Sequence, residues 1–209
     1  MRRSYSVSIF CLAITACALT ARLRAADANF VVPAPGISFS SLTGPDESPY
    51  TGHTEGSFAV TPTAGNWFKG LTYGDPSPSI FDGPVNSPGV AVIQITDGAG
   101  PFTLSSLRYS SNNGDSGYDI QAFFGATLVY TESGTLSSSV TPFTFKTLTT
   151  THPAIPVDGL FITVVPGPNT TSINLDNIGV STVPEPGALL LMAGGLAVLF
   201  RRFALAKTA

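Results

Sequence analysis

Gly114-Asp115-Ser116-Gly117 places a serine between glycines, the local setting in which a nucleophilic hydroxyl could stand exposed on a tight turn. Acyl-transfer chemistry would need a histidine beside Ser116, an acid to orient it and backbone donors for an oxyanion. Tyr118 stands where that turn needs a small residue, so the plainer expectation is a polar turn between two strands. The chain has two histidines, His53 and His152, and a zinc site would require them to converge with carboxylates. Glycoside hydrolysis needs two acids flanking a cleft. Glu47, Glu55, Glu132 and Glu185 fall with the aspartates mostly in turn-like stretches, and no pair stands out. Calcium suits this donor set better, because it takes carboxylate, amide and carbonyl oxygens from loops. Asn113, Asp115, Asp119, Asp176 and Asn177 supply such groups. Trp67 is the only tryptophan. Its ring could stack on a sugar face, or it could anchor a long loop to the core.

Charge excludes some partners. Of 10 lysines and arginines, only Lys69, Arg108 and Lys146 lie between Arg24 and Arg201. All 13 acids lie from Asp27 to Glu185, so the middle of the chain carries −10 rather than the −3 of the whole. So few cations cannot neutralise phosphates, which argues against nucleic acid as a partner. Acidic polysaccharide is disfavoured on the same ground. Both cysteines, Cys11 and Cys17, fall in the first 20 residues, so removal of that segment leaves no thiol.

The elements that must position any site are strands. Among 209 residues, 43% are hydrophobic and 11% charged, enough apolar material for one domain with appendages. Between Ala26 and Thr182 no helical period emerges; short β-rich runs alternate with Gly, Pro, Asn, Asp and Ser. The runs are 37–42, 56–61, 90–96, 102–109, 118–124, 127–132, 142–148, 160–165 and 172–180. Phe124-Gly125-Ala126-Thr127 predicts a hairpin, and Asn113-Gly114 a second tight turn. Such strands predict an all-β fold, an antiparallel β-sandwich of jelly-roll type. Residues 62–88, with Trp67, Tyr73 and Phe81, are too long for a hairpin loop and predict an ordered excursion over one sheet face.

The two ends carry addresses. Met1-Arg2-Arg3, the apolar run 7–19 and the small residues around Ala25 have the layout of a signal peptide over 1–25, to be handled by the Sec export machinery. Ile14-Thr15-Ala16-Cys17 is a loose lipobox and offers lipidation at Cys17 as the alternative. The other end reads Val183-Pro184-Glu185-Pro186-Gly187, then a wholly apolar run 188–200, then Arg201-Arg202. The prolines hold the motif extended. A core helix would show a polar face, and 188–200 shows none. Extended slightly, that run could reach the ~20 residues a bilayer-spanning helix needs. The arginine pair would then stay cytoplasmic.

Pro-Glu-Pro, apolar helix and arginine pair in this order resemble the PEP-CTERM sorting signal of bacterial exported proteins. The resemblance covers 183–209 and implies an exosortase-type processing enzyme as partner. It casts Pro184, Glu185 and Pro186, after Val183 in the sorting motif, as the recognition element, 188–200 as a transient inner-membrane anchor, and Arg201 and Arg202 as the stop signal. It implies export to the cell surface or extracellular matrix. The stretches Thr54 to Thr61, Gly65-Asn66-Trp67-Phe68, Gly74 to Ile80 and Ile173 to Ile178 resemble a recurring ectodomain of such proteins. That ectodomain is similar to carbohydrate-binding-module jelly rolls. In those folds an aspartate near the end of the last strand often helps hold a structural calcium, and Asp176 matches that place. The expectation is a non-enzymatic surface or matrix protein with ectodomain 26–182 and no cofactor beyond that calcium. The alternatives are a secreted carbohydrate-binding module using Trp67, and a hydrolase acting on polysaccharide.

Overall fold

The computed structural model describes residues 36–83, 87–139 and 144–183. The chain divides into two units, Met1–Ala34 and Pro35–Ala209, and all described residues belong to the second. The signal segment 1–25, and Pro184, Glu185, Pro186, Arg201 and Arg202, lie outside the described residues. Among the described residues no helix is long and apolar enough to cross a membrane.

The described residues form twelve strands and no helix. In chain order they are β1 (His53–Glu55), β2 (Phe58–Ala64), β3 (Trp67–Gly70), β4 (Ser79–Asp82), β5 (Ala91–Asp97), β6 (Phe102–Asn112), β7 (Ser116–Phe124), β8 (Thr127–Leu136), β9 (Ser138–Ser139), β10 (Lys146–Thr149), β11 (Gly159–Val165) and β12 (Ser172–Thr182). One sheet runs β1-β2-β5-β11-β7-β8, the other β10-β6-β12-β4-β3, with β9 alongside β6. All pairings are antiparallel except β6 with β9.

The alternation in the sequence explains the layering. In the first sheet Val60 pairs Ile95, Ile95 pairs Leu160, and Leu160 pairs Ala122, so one face is an apolar ladder. In the second, Tyr109 pairs Leu175 and Leu175 pairs Ile80. These ladders share one buried core. Phe124 and Thr127 close the expected hairpin around Gly125, whose φ of 59° suits glycine. Asn113 adopts φ 65° in the expected tight turn between β6 and β7.

Two expectations change in detail. Residues 37–42 do not form a strand: Ile37 makes one bridge to Ile178, and Phe39 at φ 58° turns the chain away. Residues 62–88 are not a single excursion over a face. They complete β2 and contribute β3 and β4 to the second sheet. Among the described residues of this stretch, the connection 71–78 folds back over the outside.

Candidate polar pocket on the outer face of the second sheet

Strand β12 alternates Ser172, Ile173, Asn174, Leu175, Asp176. Period two sends Ile173 and Leu175 into the core and the polar three to the outer face. An outer face is ordinarily solvated, yet Asn174 and Asp176 are 2% and 0% exposed. Register places Ser172 opposite Asn112, Asn174 opposite Ser110 and Asp176 opposite Arg108, while Asn174 also pairs with Phe81. The outer face is thus a polar row flanked by an aromatic one, with Phe81 stacked on Phe68 at 5.6 Å.

The connection 71–78 walls this row. Asp46 holds its start, accepting the Leu71 N–H at 2.7 Å and the Thr72 hydroxyl at 2.6 Å. These bonds, Thr72 first, hold the Asp46 carboxyl below its ordinary range. The Ser79 hydroxyl donates to the Tyr73 carbonyl at 2.6 Å. Asp176 holds the middle by accepting the Asp75 N–H at 2.7 Å. Asn177 Nδ2 and Arg108 both donate to the Asp75 carbonyl at 2.8 Å, and Arg108 pairs with the Asp75 carboxylate. Tyr73 leans on Phe145, ring centroids 5.5 Å apart, with its hydroxyl 3.4 Å from Ser110 Oγ.

Between this wall and the sheet lies a pocket of about 310 Å³, lined by Asp46, Glu47, Gly70, Thr72, Tyr73, Phe81, Asn112, Ser172 and Asn174. That is the low end of ligand-sized cavities, about 300–1,000 Å³. Its floor is wired. Ser110 donates to Asn112 Oδ1 at 2.7 Å, and Asn112 Nδ2 donates to Ser172 Oγ at 2.8 Å. The Asn174 amide nitrogen is the exception, buried with no hydrogen-bond partner. Such a group costs about 1–3 kcal/mol, and its residue lines the pocket. Gly70 keeps the cavity open, since a Cβ there would come within 3.0 Å of Ser79 Oγ and 3.3 Å of the Tyr73 carbonyl.

The other sequence candidates lie elsewhere. Trp67 is not in the pocket. It is 3% exposed, sits in the core and donates from Nε1 to the Val92 carbonyl at 3.3 Å. Its ring anchors β3, and Tyr73 and Phe81 are the aromatic groups that meet the cavity. Asp176 spends one oxygen on the Asp75 N–H and the other on the Asn177 N–H at 2.7 Å. Burial raises its pKa. Among the described residues no group of three or more His, Cys, Asp or Glu is placed to hold a metal. Ser116 contacts the Ser111 hydroxyl at 2.7 Å and that of Thr170 at 3.1 Å, and neither is a histidine. The histidines partner different acids, His53 with Glu55 and His152 with Glu132, each at 3.4 Å. Val183, the first residue of the sorting motif, is described. Its N–H donates to the Pro101 carbonyl at 2.8 Å.

No protein-family model matches the chain, and no curated protein matches it. Several solved structures are similar at low identity. The enzymatically active domain of tailspike protein 4 from bacteriophage CBA120 aligns over 61% of this chain with TM-score 0.41 and 14% identity, and this chain spans 19% of its length. The family 32 carbohydrate-binding module of C. perfringens NanJ, solved with galactose, aligns over 57% of this chain and 93% of its own, with TM-score 0.35 and 17% identity. The K3 cleaved adhesin domain of Lys-gingipain from Porphyromonas gingivalis aligns over 70% and 98%, with TM-score 0.44 and 13% identity. At these scores the likeness reaches neither ligand nor activity.

Proposed function

We propose that this chain is a non-enzymatic exported surface protein whose sandwich recognises a saccharide in the pocket beneath residues 71–78. One observation carries the binding part: a cavity with two aromatic walls and several hydroxyl and amide groups, lined by Asn174, a buried residue whose amide nitrogen has no partner. Aromatic faces with a few oriented polar groups are what a polyhydroxylated ring needs: C–H surface meets ring, and hydroxyls meet donors and acceptors. The same lining argues against hydrolysis. Its two carboxylates, Asp46 and Glu47, are neighbours in sequence rather than across a cleft. Asp46 is held ionised, whereas a glycosidase acid needs a raised pKa.

Delivery rests on the sequence of the two ends. The signal-like 1–25 supports Sec export, and Pro184 to Pro186 with Arg201 and Arg202 supports exosortase-type processing after transient inner-membrane anchoring. Intact mass of the protein from its host, compartment by compartment, tests this part. A surface form lacking residues beyond about Pro186 supports sorting, and a surface form still ending at Ala209 overturns it. Binding is tested by titrating the folded ectodomain, within the full chain, with methyl glycosides while following amide NMR shifts. Shifts confined to residues of β12 and 71–78 support the reading. Absence of any shift with every sugar overturns it.

A further inference from the structure

Resting on that reading of the pocket, we infer that the site is selective by charge: it takes a neutral sugar unit and rejects its uronic-acid counterpart. Among the described residues the lining holds two carboxylates, Asp46 and Glu47, and no lysine, arginine or histidine. Both acids are exposed, at the mouth rather than the floor. Their commitments differ. Asp46 is spent on Leu71 and Thr72, whereas the Glu47 carboxylate has no hydrogen-bond partner among the described residues. Its backbone is fixed, however. Glu47 sits at φ 57° with its N–H donated to the Lys69 carbonyl at 2.9 Å. The one cation nearby by sequence, Lys69, leaves β3 on the side of Trp67 and its partner Ile80, away from the pocket, and donates to the Thr43 carbonyl at 2.9 Å. Arg108, on the same sheet face, is spent on Asp75.

A mouth that carries two carboxylates sorts ligands chemically. A sugar hydroxyl donates to Glu47. A carboxylate on the sugar has no proton to give at neutral pH and meets like charge there, with no guanidinium or ammonium among the described lining residues to offset it. Like charges a few ångströms apart at a protein surface repel, so the glucuronide should bind more weakly. The −10 of the central chain adds a longer-range repulsion in the same direction.

The test uses matched probes on the full chain: methyl β-glucoside, methyl β-N-acetylglucosaminide and methyl β-glucuronide, titrated by NMR at about neutral pH. The expected result is binding of at least one neutral glycoside, with the glucuronide weaker by about fivefold or more. Glu47→Gln should narrow that gap several-fold, because the amide keeps an acceptor for the sugar hydroxyl but loses the charge that repels the glucuronide. Raised salt should narrow it as well. Asn174→Ala should weaken every probe, with thermal melting showing that the variant still folds. Glucuronide binding as tight as, or tighter than, the glucoside overturns the charge rule and leaves saccharide recognition standing. So does a gap that Glu47→Gln does not move. No binding by any probe, or binding that Asn174→Ala leaves intact, overturns the pocket reading itself.

Discussion

Asp176 on β12 accepts the backbone N–H of Asp75 at 2.7 Å, a bond that joins residues 101 positions apart in the chain. It fixes the middle of the 71–78 connection to the outer face of the second sheet. The other oxygen of Asp176 caps the N–H of Asn177, whose φ is 40° and whose amide returns to the Asp75 carbonyl. Asp176, the residue expected to help hold a calcium, also positions a pocket wall. Asp176→Ala leaves the Asp75 and Asn177 N–H groups without their acceptor. It should cost about 1–3 kcal/mol in denaturant unfolding and weaken sugar binding beyond the change in folded fraction. Asp176→Asn, which can still accept one N–H, should fall between.

Asn174 offers the opposite trade. Its amide nitrogen is buried without a partner, so the folded protein gains nothing from it. Asn174→Leu removes the unsatisfied donor and supplies apolar contact beside Phe81, its cross-strand neighbour. The variant should be as stable as the wild type or more so, by up to about 1–3 kcal/mol, with binding lost. Thermal melts paired with NMR titration check it. Equal loss of stability and binding would assign Asn174 to packing instead.

The strands that alternate over several residues were legible in the sequence, because period two survives in 102–112 or 172–182 whatever their neighbours are. β3 and β4 were not. Each has four residues, and they become strands only by pairing, β3 with β4 and β4 in turn with β12. The outward polar row Ser172, Asn174, Asp176 was visible as alternation. That it is buried was not visible, since the cover comes from residues about a hundred positions earlier. Trp67 drew attention as a lone aromatic, while Tyr73, one of six tyrosines, carried no distinguishing local signal. The apparent serine motif failed for the same reason in reverse: Ser116 meets Thr170, 54 residues on, and no histidine.

Asp82 makes stability fall with rising pH. It pairs with Ile173 and Trp67 in register, so its side chain shares their core-facing side. One carboxylate oxygen accepts the Ile173 N–H at 2.7 Å, and the other is buried with no partner. Burial pushes its pKa from an ordinary 3.8 to about 7. Between those values the unfolded chain has released a proton that the folded chain keeps, so stability declines over that window and levels off above about 7. Asp82→Asn should flatten the decline. Chemical unfolding at a series of pH values checks it, and an unchanged slope would place the titration elsewhere.

His53 and Glu55 act in the other direction. Tyr50 hydroxyl lies 2.8 Å from His53 Nδ1, Phe39 packs on the imidazole at 5.2 Å, and Glu55 faces Nε2. Burial holds the His53 pKa below its ordinary 6.5 despite the acid beside it. For Glu55, burial pushes up, but the Ser38 hydroxyl and N–H and the His53 ring outweigh it and leave the carboxyl below 4.5. Both groups prefer in the fold the form they lose on acidification, so their contribution is complete above about pH 6.5 and disappears as pH falls through each folded pKa. The domain should therefore have a stability maximum, limited by His53 and Glu55 on the acid side and by Asp82 toward neutrality. Glu55→Gln removes the acceptor of the Ser38 bonds and the charge beside His53. It should lower stability most near neutral pH, with the deficit closing as acid protonates Glu55 in the wild type. A deficit of constant size across the range would show that Glu55 serves there by shape rather than by charge.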